Sequence, residues 1–199
     1  MLRILPLLLL LFLSSVSGAQ NCTFTDKQKA LIESARFQVG RTLLYDPSYI
    51  RLNFPNGDIP EYRGVCTDVI IRAYRRAFGY DLQKTVHDDM KRYFATYPKN
   101  WGMTSTDRNI DHRRVPNLKV FFKKFGQSLP VKSDADQFCP GDLVTQILNG
   151  GQPHILIVSD KRSGDNARPL VIHNIGSGAR EEDALFDYPI TGHYRFFPE

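Results

Sequence analysis

The feature that most constrains the fold is a change in hydrophobic periodicity about two thirds of the way along the chain. Up to residue 125, apolar residues recur at helical spacing in four segments, which contain the sequences DKQKAL, CTDVII, DLQKTV and NLKVFF. After residue 140, short β-rich runs alternate with turn residues, in GDLVTQIL, HILIVSD, PLVIHNIG and GHYRFF. Helices followed by short strands predict an α+β fold, with N-terminal helices packed on a C-terminal antiparallel β-sheet.

Local signals set the boundaries of several predicted elements. Thr25 and Gln28 have the capping-box spacing that opens a first helix, and Asn117 is predicted as the N-cap of the fourth helix. Residues 41–63 contain prolines, glycines and aromatic residues but no helical period. They are therefore predicted to form an extended, ordered loop that lines a groove.

Residues 1–19 have the layout of a secretory signal peptide. Arg3 precedes the short apolar run Leu7–Leu13, and small residues lead up to Ala19. The run is too short to serve as a permanent membrane span. We therefore expect cleavage after Ala19, a single domain over residues 20–199, and a secreted or periplasmic product without a stable membrane anchor.

Charge and motif content narrow the possible partners. The formal net charge is +5, and the basic residues are scattered along the chain. Nucleic-acid binding would require a denser basic stripe, whereas mild basicity suits a substrate that is rich in carboxylates. The chain contains neither HExxH nor a CxxC pair. We therefore expect no nucleic-acid partner, no metal and no cofactor.

The chain has three cysteines, Cys22, Cys66 and Cys139. Disulfides persist in exported proteins, and an odd number leaves at least one thiol that is free or paired with another chain. The most economical arrangement joins Cys22 to Cys139 and leaves Cys66 free, although the spacing alone does not determine the pairing.

Cys66 lies in the sequence GVCTDVIIR, at residues 64–72, where the second predicted helix begins. Unpaired N–H groups and the positive end of the dipole at a helix N-terminus favour a thiolate, which is the nucleophilic form of cysteine. Gly64 allows a substrate to approach the backbone closely. The position therefore predicts a nucleophile; the alternative is a small buried residue without chemical function.

Two histidines on neighbouring predicted strands complete a candidate triad. His154 opens the run HILIVSD, His173 lies in VIHNIG, and the segment DKRSGDNARP between them has the composition of a turn. An antiparallel hairpin would bring the two side chains together. His154 would then be the base that pairs with Cys66, and His173 would orient it. Alternatively, His154 is a polar residue at a strand entrance and His173 binds a loop carbonyl.

Candidate substrate-binding residues flank the cysteine in the sequence. Asp111, Arg113 and Arg114 lie together in NIDHRRVPN, and an arginine can hold a carboxylate through two hydrogen bonds. The structural alternative is a salt bridge from Asp111 to one of the arginines. Tyr62, shortly before Cys66, is predicted to donate a hydrogen bond to the oxyanion of the reaction, beside the Cys66 backbone N–H.

The order of these motifs resembles the NlpC-type cell-wall peptidases, a branch of the papain-like cysteine peptidases. The shared pattern is a cysteine at a helix start, GDLV at residues 141–144, a strand opening on histidine, and a histidine on the next strand. The resemblance implies a papain-like fold, with Cys66 as nucleophile, His154 as base and His173 as orienting residue. The usual Asp-Cys-Ser-Gly of those enzymes is replaced here by VCTD at residues 65–68.

A second resemblance covers nearly the whole predicted mature chain. It is similar to the domain of unknown function 1287, a bacterial exported family placed near those peptidases, in the motifs FPNGDIP, GVCTDVIIRAYR, DLQKTVHDDM, NIDHRRVPNL and VIHNIG. Together the two resemblances imply an exported bacterial cysteine amide hydrolase that cleaves a peptide or amide bond in peptidoglycan. Two alternatives stay open, namely an acyltransferase or transpeptidase working through a thioacyl-enzyme, and a non-catalytic module that binds the cell wall.

Overall fold

A computed structural model describes residues 22–199, and the predicted signal peptide lies outside the described residues. The described part is a mixed α+β structure of four helices and a six-stranded antiparallel sheet. The helices are α1 (Asp26–Arg36), α2 (Cys66–Phe78), α3 (Leu82–Arg92) and α4 (Val115–Phe125). The strands are β1 (Leu44–Tyr45), β2 (Arg63–Gly64), β3 (Gln127–Leu129), β4 (Leu143–Ile147), β5 (Pro153–Arg162), β6 (Pro169–Asn174), β7 (Ala179–Glu182) and β8 (Ile190–Arg195).

One of the two predicted helix N-caps is confirmed, and the other is wrong. The predicted capping box of Thr25 and Gln28 is confirmed at the start of α1. The prediction that Asn117 caps α4 is wrong, because the helix begins two residues earlier and Asn117 lies inside it. Pro116 stands in the first turn, where proline is favoured, and the Asn117 amide instead donates to the carbonyl of Asp111 at 2.9 Å.

The six strands of the main sheet lie in the order β3-β8-β4-β5-β6-β7, and all neighbouring strands are antiparallel. The four predicted strands are present as β4, β5, β6 and β8. The two edge strands, β3 and β7, were not predicted, because both are short and their sequences, QSL and AREE, lack a clear alternation of apolar and polar residues. The hairpin predicted between the two histidine-bearing strands is the pair β5 and β6.

The central sheet buries apolar side chains on both faces. On β5, Ile155 and Ile157 belong to the larger hydrophobic cluster, which they share with the helices, whereas Leu156 and Val158 belong to a smaller cluster on the other face. Successive residues of a strand point to opposite faces, so the two clusters follow directly from this alternation. The active-site candidates lie where α2 meets β5 and β6.

The predicted disulfide between Cys22 and Cys139 is present, with a Cα–Cα distance of 5.4 Å. Cys66 is free and buried. Every helix between residues 22 and 199 is too short or too polar to cross a bilayer.

Candidate active site

Cys66 is the first residue of α2, and the start of that helix is held by buried charges. Val65 is the N-cap, and its N–H donates to Oδ2 of Asp68 at 2.7 Å. Arg113 binds both oxygens of the same carboxylate, each at 2.9 Å. The Thr67 hydroxyl donates to the Arg113 carbonyl at 3.1 Å. A carboxylate in the first helical turn satisfies free N–H groups, so Asp68 and Arg113 together fix where Cys66 stands.

The strand register brings the two predicted histidines into direct contact. Nε2 of His154 lies 2.8 Å from Nδ1 of His173, and both side chains are almost fully buried. Their rings meet edge to face, with centroids 5.0 Å apart. Because β5 and β6 are antiparallel neighbours, a residue near the start of one strand reaches a residue near the end of the other.

A glutamate extends this pair and was not predicted from the sequence. Oε1 of Glu182, on β7, lies 2.8 Å from Nε2 of His173. A carboxylate accepts, so Nε2–H of His173 donates to Glu182, and Nδ1 of a neutral His173 accepts from Nε2–H of His154. The unprotonated nitrogen of His154 is then Nδ1. This atom makes no hydrogen bond among the described residues, but it is not fully buried either. It therefore keeps contact with solvent.

The structure brings Cys66 to the strand that carries His154 but not into a hydrogen bond with the imidazole. The sulfur approaches the backbone N–H of Ile155, the residue after His154, from the helical side of the sheet. Strand alternation places the His154 side chain on the other side, with Leu156. Among the described residues, no hydrogen bond joins Sγ of Cys66 to either imidazole. The sulfur therefore lies beside the backbone at the start of β5, next to the residue that follows His154.

Burial keeps both reacting groups neutral. It raises the pKa of the Cys66 thiol to about 12, while the backbone N–H of Ile155 opposes the rise. Burial also lowers the pKa of His154 to about 3, and His173 acts in the same direction. Near pH 7 the free protein therefore holds a thiol and a neutral imidazole, and the favourable position at a helix N-terminus does not by itself produce a resting thiolate.

An asparagine next to His173 connects strand β6 to the segments that precede Cys66. Nδ2 of Asn174 donates to the carbonyl of Gly64 at 2.9 Å and to that of Leu44 at 3.3 Å. Gly64 lies two residues before Cys66, so this amide links the end of β6 to the chain that leads into α2. Sequence reasoning missed Asn174, although its position directly after His173 on a predicted strand was a usable signal.

A pocket of about 200 Å³ opens at the sulfur. The pocket is lined by Cys66 and by the two residues before His154, Gln152 and Pro153. Aromatic and basic side chains complete this part of the lining: Tyr45, Trp101, Arg113 and Arg114. None of the lining residues in the described part of the chain is acidic. Within residues 22–199, no three His, Cys, Asp or Glu side chains are grouped so as to hold a metal ion.

The two neighbouring arginines have different environments. Arg113 is buried, is paired with Asp68, and also donates to the backbone carbonyl of Ser48 at 3.1 Å. Arg114 makes no ion pair among the described residues; its guanidinium lies 4.5 Å from the centre of the Trp101 ring and contacts the sulfur of Met103. Arg114 therefore lines the pocket without a direct ion pair among the described residues, although its charge helps to lower the pKa of the nearby Asp107.

The other two predicted binding residues lie away from the pocket lining. Asp111 is fully buried, and its Oδ2 atom is bonded to Nδ1 of His87 and to the backbone N–H of Asp107, each at 2.9 Å. The predicted salt bridge from Asp111 to an arginine is therefore replaced by a pair with His87. Tyr62 is half exposed and is not part of the lining.

Tyr45, and not Tyr62, is the tyrosine that lines the pocket beside Cys66. Its pKa is raised to about 12, first by burial and then by the nearby Cys66. The hydroxyl therefore stays protonated at neutral pH and can donate a hydrogen bond near the sulfur. The signal in the sequence was its place in the predicted groove-lining loop.

Comparison with known proteins places this site in a family. Residues 32–196 match the family described as "Domain of unknown function (DUF1287)". The chain is also 49% identical over 168 residues to "Uncharacterized protein YijF" of Escherichia coli (strain K12), an alignment that covers 84% of this chain and 81% of the relative. The family match spans both the helix that begins at Cys66 and the strands that carry the two histidines. On this similarity the chain belongs to the DUF1287 family.

Proposed function

We propose that this protein is a cysteine amide hydrolase with a papain-like arrangement of the NlpC type. The observation that carries the proposal is the placement of a free cysteine at a helix start, against the backbone of the strand that bears a neutral, oriented imidazole pair. A nucleophile, a base and a group that orients the base are the three parts that such chemistry requires. No other part of the described chain brings a free thiol next to an imidazole-bearing strand.

The neutral state of the groups determines the order of the steps. Sγ of Cys66 attacks the substrate carbonyl while Nδ1 of His154 takes the thiol proton, so a C–S bond forms and the carbonyl π electrons move to oxygen. The oxyanion accepts hydrogen bonds from the Cys66 backbone N–H and the Tyr45 hydroxyl. The tetrahedral intermediate collapses, the C–N bond breaks, and His154 returns the proton to the departing amine. Water then attacks the thioester while His154 takes a proton from it; the C–S bond breaks, the acyl group leaves as a carboxylic acid, and His154 returns the proton to the Cys66 sulfur.

The pocket chemistry points to a substrate that carries a carboxylate close to the scissile bond. The guanidinium of Arg114 lies over the Trp101 ring and makes no ion pair among the described residues, and no acidic residue of the described chain lines the pocket to repel an anion. A guanidinium can bind a carboxylate through two parallel hydrogen bonds. The stem peptides of peptidoglycan carry such carboxylates, and a signal peptide would deliver the enzyme to the envelope where they occur.

The decisive experiment incubates purified sacculi with the wild type and with Cys66→Ala, and identifies the released fragments by mass spectrometry. The proposal predicts muropeptides with newly formed amine and carboxylate ends for the wild type only. His154→Ala should abolish release in the same way, and the exposed Asp183→Asn should serve as the matched control. Identical fragment profiles for the wild type and Cys66→Ala would refute the proposal.

Two observations favour a non-catalytic cell-wall-binding module as the second candidate. The thiol pKa is raised to about 12, and no hydrogen bond joins Cys66 to an imidazole among the described residues. A module of this kind would bind sacculi equally well with Cys66→Ser and would release no muropeptides. A sedimentation assay with both proteins, run beside the digestion, separates the two functions.

A further inference from the structure

We infer that Glu182 is a positioning residue that sets the tautomers of His173 and His154 and so keeps Nδ1 of His154 free to accept a proton. The reaction that this nitrogen serves rests on the proposed function. The tautomer assignment itself rests on contacts between described residues, and it can be measured without a substrate.

The contacts form one continuous chain across three strands. Glu182 on β7 accepts from His173 on β6 at 2.8 Å, and His173 accepts from His154 on β5 at 2.8 Å. In the register of β6 and β7, His173 stands opposite Arg180, so Glu182 is the diagonal neighbour on the same face. A diagonal neighbour is within reach of long side chains, which explains why a residue on an edge strand can bind a buried ring.

The carboxylate removes an ambiguity that two imidazoles alone would leave. A neutral His–His pair can be written with the shared proton on either ring. If Nδ1–H of His173 donated to His154, then His154 would carry its own proton on Nδ1, the nitrogen that has no other partner. In that tautomer Nδ1 of His154 already carries a proton and cannot accept another from a thiol. Since a carboxylate only accepts, Glu182 requires the proton on Nε2 of His173 and thereby excludes the unproductive form.

The negative charge of Glu182 also acts on the two imidazoles when one of them becomes protonated. Burial lowers the pKa of His173, and the hydrogen bond and negative charge of Glu182 oppose that effect. Two further charged groups act on the ring: Asp187 raises its pKa and Arg180 lowers it. The carboxylate therefore stabilises the imidazolium that exists while His154 holds the thiol proton.

The first test reads the tautomers directly. Long-range ¹H–¹⁵N spectra of protein labelled at histidine should show both His154 and His173 protonated on Nε2 at pH 7.5. In Glu182→Ala, His173 should lose this single state and populate the form protonated on Nδ1. Asp183→Asn is the matched control, because it removes the adjacent carboxylate, which pairs with Arg168 at 2.6 Å, and it should leave both tautomers unchanged. Unchanged tautomers in a folded Glu182→Ala would overturn the inference.

The second test separates positioning from folding. With a muropeptide substrate, Glu182→Ala should lower kcat by roughly 100-fold, the lower range for loss of a general base, while KM stays the same. Glu182→Gln keeps an acceptor oxygen but loses the charge, so its kcat should lie between the two. Equal kcat values for wild type and Glu182→Ala would contradict the role. If the tautomers change as expected but the wild type releases no product, the assignment of Glu182 stands and the proposed function fails.

Discussion

At the scale of single residues, the central feature is that the thiol of Cys66 is buried. The residue is only 4% exposed, and burial raises the pKa of its thiol, so the thiol is held in its unreactive protonated form. In the proposed mechanism, reactivity therefore depends on the neutral His154 at the moment of attack and not on a stored thiolate. This separates the site from one that relies on the helix N-terminus alone.

The pH dependence of alkylation tests this description. Because the pKa of Cys66 is raised to about 12, the rate of reaction with iodoacetamide should be slow at pH 7 and should keep rising through pH 10. Intact-mass measurement of the labelled fraction over time gives the rate, and Cys66→Ala, whose other cysteines form the disulfide, should take up no label. A rate that is already on a plateau between pH 5 and 9 would reveal a resting thiolate–imidazolium pair instead.

If the proposed function holds, Arg114 should determine how strongly the enzyme prefers a substrate that carries a carboxylate. Loss of a charge-assisted hydrogen bond costs about 1.5–3 kcal/mol, so Arg114→Ala should lower kcat/KM by roughly 10- to 150-fold. Arg114→Lys should recover part of the loss. A substrate with a carboxamide in place of the carboxylate should be poor for the wild type but no worse for Arg114→Ala. If the variant still distinguishes the two substrates as strongly as the wild type does, Arg114 does not bind the carboxylate.

At the scale of secondary-structure elements, one buried ion pair connects the start of α2 to the loop before it. The side chains of Asp68 and Arg113 are 4% and 2% exposed, and Arg113 also reaches the carbonyls of Asp46 and Ser48. The pair thus holds the helix start, the segment before α4 and the loop that carries Tyr45. The binding role foreseen for Arg113 in the sequence is replaced, in our proposal, by this supporting one.

A double-mutant cycle measures that connection. Asp68→Ala leaves a buried guanidinium without its partner, and Arg113→Met leaves a buried carboxylate, so each should cost about 3–5 kcal/mol of unfolding free energy. The double variant should be less destabilised than the sum of the two by about 1–3 kcal/mol, since neither charge is left unpaired. Urea unfolding followed by circular dichroism gives the values. Strict additivity would show that the two side chains do not act as a unit.

Element types were predictable where the periodicity was strong, but several boundaries and both edge strands were not. The stripe of α2 and the apolar runs of β4 and β5 carry their own signal, since each buries a continuous face. Strand β7 carries no such signal, because its sequence AREE has no alternation of apolar and polar residues that would mark a buried face. For that reason Glu182 was invisible to sequence reasoning, whereas His154 and His173 were found.

At the scale of the whole molecule, three buried histidines make stability depend on pH. The pKa values of His112 and His154 are lowered to about 3, and that of His173 is lowered as well, each mainly by burial. In the unfolded chain a histidine titrates near 6.5, so the unfolded state binds more protons below that pH. The stability that neutral histidines contribute is complete above pH 6.5 and is lost as the pH falls toward 3.

The free energy of unfolding should therefore fall steeply in mild acid. Well below pH 6.5, each histidine that stays neutral in the folded state costs about 1.4 kcal/mol per pH unit. Between pH 6 and pH 5, where an unfolded histidine is still only partly protonated, His112 and His154 together cost about 2.4 kcal/mol. Urea titrations over that range give the slope. His154→Gln should reduce the slope by the share of one proton, and a flat profile in the wild type would contradict the prediction.

Some features of the fold and of the candidate site were predictable from the sequence, and others were decided only by the tertiary structure. Helices followed by strands, and a hairpin that pairs two strand histidines, were predictable from periodicity and turn composition, because these depend on neighbours along the chain. The odd number of cysteines predicted only that one thiol is left over; that Cys22 pairs with Cys139 and leaves Cys66 free was the most economical choice, and the structure agrees with it. The side of β5 from which the thiol approaches, the choice between Arg113 and Arg114, and the carboxylate behind His173 were decided only by the tertiary structure. Those features depend on strand register and on burial among residues far apart in sequence, and no local pattern encodes either.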